Sequence, residues 1–213
     1  MSVSHYSKAE ELLHALSHGL GALLGITALI VMLTVSLPLQ DGWYIASSII
    51  YGSSLILLYS SSTLYHAVSA AVLKRRLRQL DHAAIFILIA GTYTPFLLIN
   101  LRDSWGVVLF AVIWLIALTG VIIELATGLK YKKLSLSLYL GMGWLVIVAI
   151  EPMLRYVDTS GLLLLLAGGL SYSFGVIFYV WKGLFLHHLI WHLFVLAGSV
   201  LHFFAVYYFA LTR

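Results

Sequence analysis

His188 and His192 stand four residues apart, and Ser62 and His66 share that spacing in another segment of the chain. On a helix, residues four apart lie on one face with Cβ atoms about 5–6 Å apart. That suits two imidazoles on a single ion, because Zn–N distances are about 2.0–2.1 Å. His66 can supply a third nitrogen, leaving the fourth tetrahedral position of a catalytic zinc site to water. Asp81 is placed to accept a proton from that water, and Ser62 to orient it by a hydrogen bond. Each residue also has a plainer reading. Asp81 suits a helix N-cap, where its charge complements the helix dipole, and it follows Arg78 by three residues, so a local ion pair is open to it. His66, ahead of Lys74–Arg76, and His188, beside His187, read equally as interfacial residues. His14 and His18 form a rival pair at the same spacing, with Glu11 close by; Glu124 either pairs with Lys130 or lines a cavity. His82 and His202 read as packing or interfacial residues.

What could bring these groups together is set by composition. The 213 residues are 62% hydrophobic and 9% charged, with a mean hydropathy of +1.03. Soluble domains carry roughly 25% charged residues, so most of this surface cannot face water. A helix crosses the hydrocarbon core in about 20 apolar residues. Seven stretches meet that length, near 14–37, 43–67, 81–101, 105–127, 134–152, 159–181 and 187–211. The fold expected is an all-α bundle of seven transmembrane helices in one domain, 1–213. Nothing alternates in the roughly 10-residue segments of a membrane barrel. Glu10 and Glu11 ahead of a long apolar stretch do not resemble a cleavable signal, so the first span is expected to remain. With no cysteine, thiolate ligands are excluded and any metal must be held by nitrogen and oxygen.

Charge sets the orientation. With the N-terminus inside, nine basic residues fall on the cytoplasmic side (Lys8, Lys74, Arg75, Arg76, Arg78, Lys130, Lys132, Lys133, Lys182), and three (Arg102, Arg155, Arg213) fall outside. The positive-inside rule therefore places the N-terminus in the cytoplasm and the C-terminus outside. His66, Asp81, His188 and His192 then share one depth on three helices, at the cytoplasmic side. Ionisable groups inside a membrane are expensive enough to mark function. The net charge of +4 comes from loop lysines and arginines and gives no nucleic-acid surface; membrane lipids are the expected partners, and no protein partner is predictable. Gly19, Gly21, Gly25, Gly168 and Gly169 are typical of close helix packing in lipid. Absence of an internal repeat counts against a transporter. Ser4–Leu16 reads as a short amphipathic helix on the inner face before the first span.

At these residues the chain resembles the progestin and adipoQ receptor family, in its bacterial hemolysin III-like branch. The resemblance spans nearly the whole chain. It rests on Ser62-Thr63-Leu64-Tyr65-His66, on Leu80-Asp81-His82 followed by Ala90-Gly91-Thr92-Tyr93-Thr94-Pro95, and on His188-Leu189-Ile190-Trp191-His192 with Leu201-His202-Phe203 beyond. The Ser-x-x-x-His, Asp, His-x-x-x-His set also marks a wider superfamily that includes alkaline ceramidases. The resemblance implies a seven-helix bundle with its N-terminus inside. It implies Zn2+ on His66, His188 and His192, with Asp81 reaching the metal through water and Ser62 nearby. Ser17-His18-Gly19 meets a further family pattern near the first span, of which His14 is not part. Animal relatives have proposed ceramide hydrolase activity, and bacterial relatives are linked to membrane lipid homeostasis and to haemolysis.

The expected protein is therefore a multi-pass, zinc-binding component of a bacterial inner membrane, acting in lipid homeostasis. Its expected chemistry is metal-dependent hydrolysis of a lipid amide or ester. The alternatives are a non-enzymatic sensor of membrane state, in which zinc only clamps helices, and a hemolysin III-like pore. A pore should show a polar stripe along its spans, whereas the outer halves of these are nearly all apolar.

Overall fold

A computed structural model describes residues 6–212, and the described residues contain helices and no strand. The helices are α1 (Lys8–Ser36), α2 (Gly42–Ala67), α3 (Ala71–Pro95), α4 (Val107–Thr127), α5 (Lys132–Gly143), α6 (Ile150–Tyr156), α7 (Thr159–Val180) and α8 (His187–Val206). π-helical turns extend α3 through Asn100 and α8 through Leu211. Seven helical segments are long and apolar enough to cross a membrane, with α5 and α6 together making the fifth. Lipid-facing side chains are plain on α4, where Val108, Leu115 and Ile122 repeat every seven residues and are each more than 60% exposed. In water that stripe would be untenable; in a bilayer it is the solvated face.

α1 and α7 each bury a face of mostly small or polar residues. On α1 the buried residues are His14, His18, Gly21, Gly25, Ala28, Met32 and Ser36, a 4-3-4-3-4-4 spacing that keeps one seam turned to α2. The Tyr59 ring lies where a Cβ at Gly21 would stand. The His202 ring does the same at Gly168, while Gly169 has open space beside it and so does not serve close packing. In the ring of helices, α3 joins α4 to α2, α2 lies on α1, α1 on α8, and α8 on α7. α5 packs on α3 and α4, and α6 on α7, so the fifth span completes the circuit.

Three sequence expectations about element ends change. A capping box on Ser7 and Glu10 starts α1 at Lys8, and the helix then runs unbroken to Ser36. No separate surface helix precedes the first span; Ser4 and His5 of that expected segment lie outside the described residues. Next, α3 begins at Ala71 rather than at Asp81. Its first turns hold Lys74, Arg75, Arg76 and Arg78, and Lys74 folds back so that Nζ donates to the carbonyls of Tyr65 (3.0 Å) and Val68 (3.2 Å) at the end of α2. Charge had placed this segment in a loop, but a cation beside the carbonyl end of a helix is stabilising. Asp81 therefore sits in the middle of a helix and caps nothing. Finally, the fifth span breaks after Gly143 into a 3₁₀ turn, Leu145–Ala149, before α6. Tyr93 spans the break: its hydroxyl reaches the carbonyls of Met142 (2.9 Å) and Gly143 (3.0 Å) and accepts from the Val146 amide (2.9 Å).

Candidate metal centre

Five imidazoles from three helices meet at one end of the bundle: His14 and His18 from α1, His66 from α2, His188 and His192 from α8. Ring centroids are 5.3 Å apart for His66 and His188, 5.1 Å for His66 and His192, and 4.6 Å for His188 and His192. One ligand atom from each of His14, His66 and His188 falls within 4.8 Å of the others, a set that can hold a metal ion. This is not the expected trio, since His14 stands in it and His192 does not. His192 joins through His188, their Nε2 atoms lying 3.2 Å apart.

The hydrogen bonds around the cluster fix which nitrogens are free. Glu11 Oε2 is 2.7 Å from His66 Nδ1. A carboxylate only accepts, so Nδ1 carries the proton, and Nε2, buried without a partner, presents its lone pair. Glu11 is itself held by Lys74, whose Nζ lies 3.0 Å from Oε1. A metal-binding histidine usually carries such a carboxylate on its far nitrogen. Ser17 Oγ donates to the His14 carbonyl (2.9 Å) and so accepts from His192 Nδ1 (3.1 Å). The His192 Nε2 lone pair then faces His188 Nε2, and a proton or a cation must lie between them. Two nitrogens on one tetrahedral zinc at about 2.0–2.1 Å stand about 3.3–3.4 Å apart, close to the separation found. Both nitrogens of His14, both of His18, and His188 Nδ1 are also buried without partners. Buried polar atoms are paired in the great majority of cases, so this density of free nitrogens fits a cation.

The cluster opens on a cavity of about 150 Å³ lined by His18, Ser62, Asp81, His188 and His192, with Leu58, Ile85, Leu88 and Val195 among its apolar wall residues. Ser62 Oγ is buried there without a partner. Glu124, which the sequence left between an ion pair and a cavity, lines this cavity; it is 1% exposed, and the Tyr139 hydroxyl lies 3.4 Å from its Oε1 while standing 2.9 Å from the His82 carbonyl. His82 and His202 border the cavity too, though His202 Nε2 is spent on the Leu165 carbonyl at 3.0 Å. A second cavity of about 370 Å³, walled by Phe96, Leu97, Ile113, Ile147 and Leu166, shares Thr92, Tyr93, Trp144, Gly169 and His202 with the first. At the histidine end of the bundle, Lys182 in the loop before α8 is held below the usual lysine range, first by partial burial and then by the charges of Lys132 and Arg78.

Reasoning from motifs missed two parts of the site. Tyr6 stacks on His188 (centroids 5.2 Å apart, planes at 18°) and meets His14 edge-on at 4.8 Å, covering the cluster. Nothing in its spacing marks it. The Glu11–His66 bond was also unforeseen, although Glu11, His14 and His18 at i, i+3 and i+7 share a helix face.

The sequence profile described as Haemolysin-III related matches residues 6–203. This chain belongs to that family. It is 43% identical over 200 residues to the Hemolysin-3 homolog of Bacillus subtilis (strain 168), covering 94% of each chain. With Hemolysin-3 of Bacillus cereus it shares 44% over 202 residues, 95% of this chain and 92% of that one. The Homo sapiens monocyte to macrophage differentiation factor is 34% identical over 178 residues, 79% of this chain and 72% of its own. Family membership and seven membrane-length helices together make this a multi-pass membrane protein.

Proposed function

We propose that this haemolysin III-family protein is a zinc-dependent hydrolase of lipid amide or ester bonds, acting from the cytoplasmic side of a bacterial inner membrane. The nine-to-three distribution of basic residues supports that orientation. The observation that carries the reading is the shared chamber: Ser62, Asp81, His188 and His192 line one cavity whose other walls are largely apolar. Pockets with a few convergent polar groups on apolar walls are the usual form of small-molecule sites. An acyl chain suits the apolar part, leaving the bond to be cleaved beside the histidines.

His66, His188 and His192 are the assigned ligands. Imidazole suits zinc, and a bound zinc supplies Lewis acidity and brings a water's pKa to about 7. In the hydrolysis, water adds across the carbonyl carbon and the C–N or C–O bond breaks. A carboxylate oxygen of Asp81 takes the water proton and returns it to the leaving nitrogen or oxygen. The Ser62 hydroxyl donates to the water or to the substrate carbonyl. Glu11 holds His66 in the tautomer that frees Nε2.

The test is turnover of a membrane lipid extract by purified protein. A folded, zinc-loaded Asp81→Ala variant is expected to lose about 10²–10⁴-fold, the usual share of general acid–base catalysis. Undiminished turnover would remove Asp81 from the reaction. A second reading, a non-enzymatic sensor of membrane state, draws support from the cluster's contributions from three helices, which let ion occupancy govern their packing. It expects no hydrolysis product when lipids of cells with and without the gene are compared. Pore formation, the remaining alternative, draws least support, because the walls of the second cavity are mostly apolar, with Thr92, Tyr93, Thr159 and His202 among its few polar residues.

A further inference from the structure

We propose that His14 is a fourth imidazole ligand of the metal centre, beside His66, His188 and His192. The inference rests on the reading above that a zinc occupies this cluster. Three observations lead to it. A His14 nitrogen lies within 4.8 Å of ligand atoms of both His66 and His188. The residue is 0% exposed, and neither of its ring nitrogens has a partner. His187 Nδ1 and His202 Nε2 each donate to a backbone carbonyl, at 3.1 and 3.0 Å, whereas His14 and His18 leave both ring nitrogens unpaired, and of these two only His14 belongs to the group whose nitrogens lie close enough to hold one ion. Leaving buried imidazole nitrogens unpaired costs free energy, and a cation bound to one of the two would offset part of it.

The placement does not depend on the ion. Glu11, one turn before His14, docks this face of α1 on α2 through His66 and on α3 through Lys74, and the Tyr6 ring meets the His14 ring edge to face. His18 is a different case. Its ring lies flat on His192, with centroids 3.5 Å apart and planes at 11°, and it meets Tyr59 edge-on. It supports a ligand and is not one.

A fourth nitrogen alters what the centre does. Four protein ligands make a closed zinc site, and three leave a position for water. In this protein the water that hydrolysis needs gains access only when His14 withdraws or the coordination expands. The first span therefore becomes part of the metal site and a control on its reactivity.

X-ray absorption on the full-length zinc-loaded protein counts the imidazoles directly. The expected shell is four in wild type and three in His14→Ala. The variant's zinc affinity, measured against a competing chelator, should fall by at least the 10–100-fold that loss of an outer-shell partner already causes. Free imidazole should restore the wild-type absorption spectrum of cobalt-loaded His14→Ala, and His18→Gln should keep the four-imidazole shell. A wild-type shell of three imidazoles, or no change on removing His14, overturns this assignment and leaves the proposed hydrolase standing. A wild-type protein that binds no zinc overturns both. Should His14→Ala not fold, the wild-type shell alone decides.

Discussion

Two single residues carry separate duties at the centre. Glu11 touches no expected substrate; it positions His66 by a 2.7 Å bond from Nδ1. Glu11→Gln keeps the shape but loses the charge that fixes the tautomer, so zinc affinity should drop about 10–100-fold, read by chelator competition, with the fold intact by circular dichroism. An unchanged affinity would mean that His66 needs no such partner. Asp81 differs, because its loss should reduce turnover while zinc content stays at the wild-type level. The sequence made His66, Asp81, His188 and His192 visible, since ionisable groups in apolar segments are costly enough to mark candidate sites and these four fall at one side of the bundle. It left His14 undecided, because helical spacing places a residue on a face without saying what that face meets.

Among the elements, the break in the fifth span and the early start of α3 show where pattern reading stops short. Hydropathy finds the apolar stretch from 134 to 152 but not the side chain from another helix that holds its break open. Tyr93→Phe removes the hydroxyl that serves Met142, Gly143 and Val146. Unpaired buried backbone groups cost about 1–3 kcal/mol each, so this variant should melt earlier in detergent; a wild-type melting temperature would deny Tyr93 that role. Gly21→Ala places a methyl where the Tyr59 ring lies. Overpacking of that kind costs about 1–3 kcal/mol, and thermal unfolding of the purified variant should show it. The start of α3 was hidden for another reason. Lys74, Arg75, Arg76 and Arg78 read as loop charges, yet they form the first turns of a helix whose later turns are buried, so Asp81 lies deeper than a cap.

The whole molecule is a ring of helices whose core holds polar groups at one end and a largely apolar chamber beyond. Seven spans and the all-helical class were legible from the lengths of the apolar stretches and their lack of barrel-like alternation, because lipid leaves the backbone only helices or closed barrels. The order of packing around the ring was not legible, since it depends on which small faces meet. Because the chain has no cysteine, single cysteines introduced at Gly128 and Asp103 report orientation cleanly. An impermeant thiol reagent applied to intact cells should label the second and spare the first; the reverse pattern would invert the proposed topology. A bound ion linking α1, α2 and α8 should also stabilise the bundle, by about 2.7 kcal/mol when free zinc reaches 100 times its dissociation constant. The central claim is that these imidazoles share one metal ion, and elemental analysis of the purified protein tests it most directly. Wild type should carry one zinc per chain and the His66→Ala/His188→Ala/His192→Ala variant none, whereas a metal-free wild type, or a variant with undiminished zinc, would contradict the account.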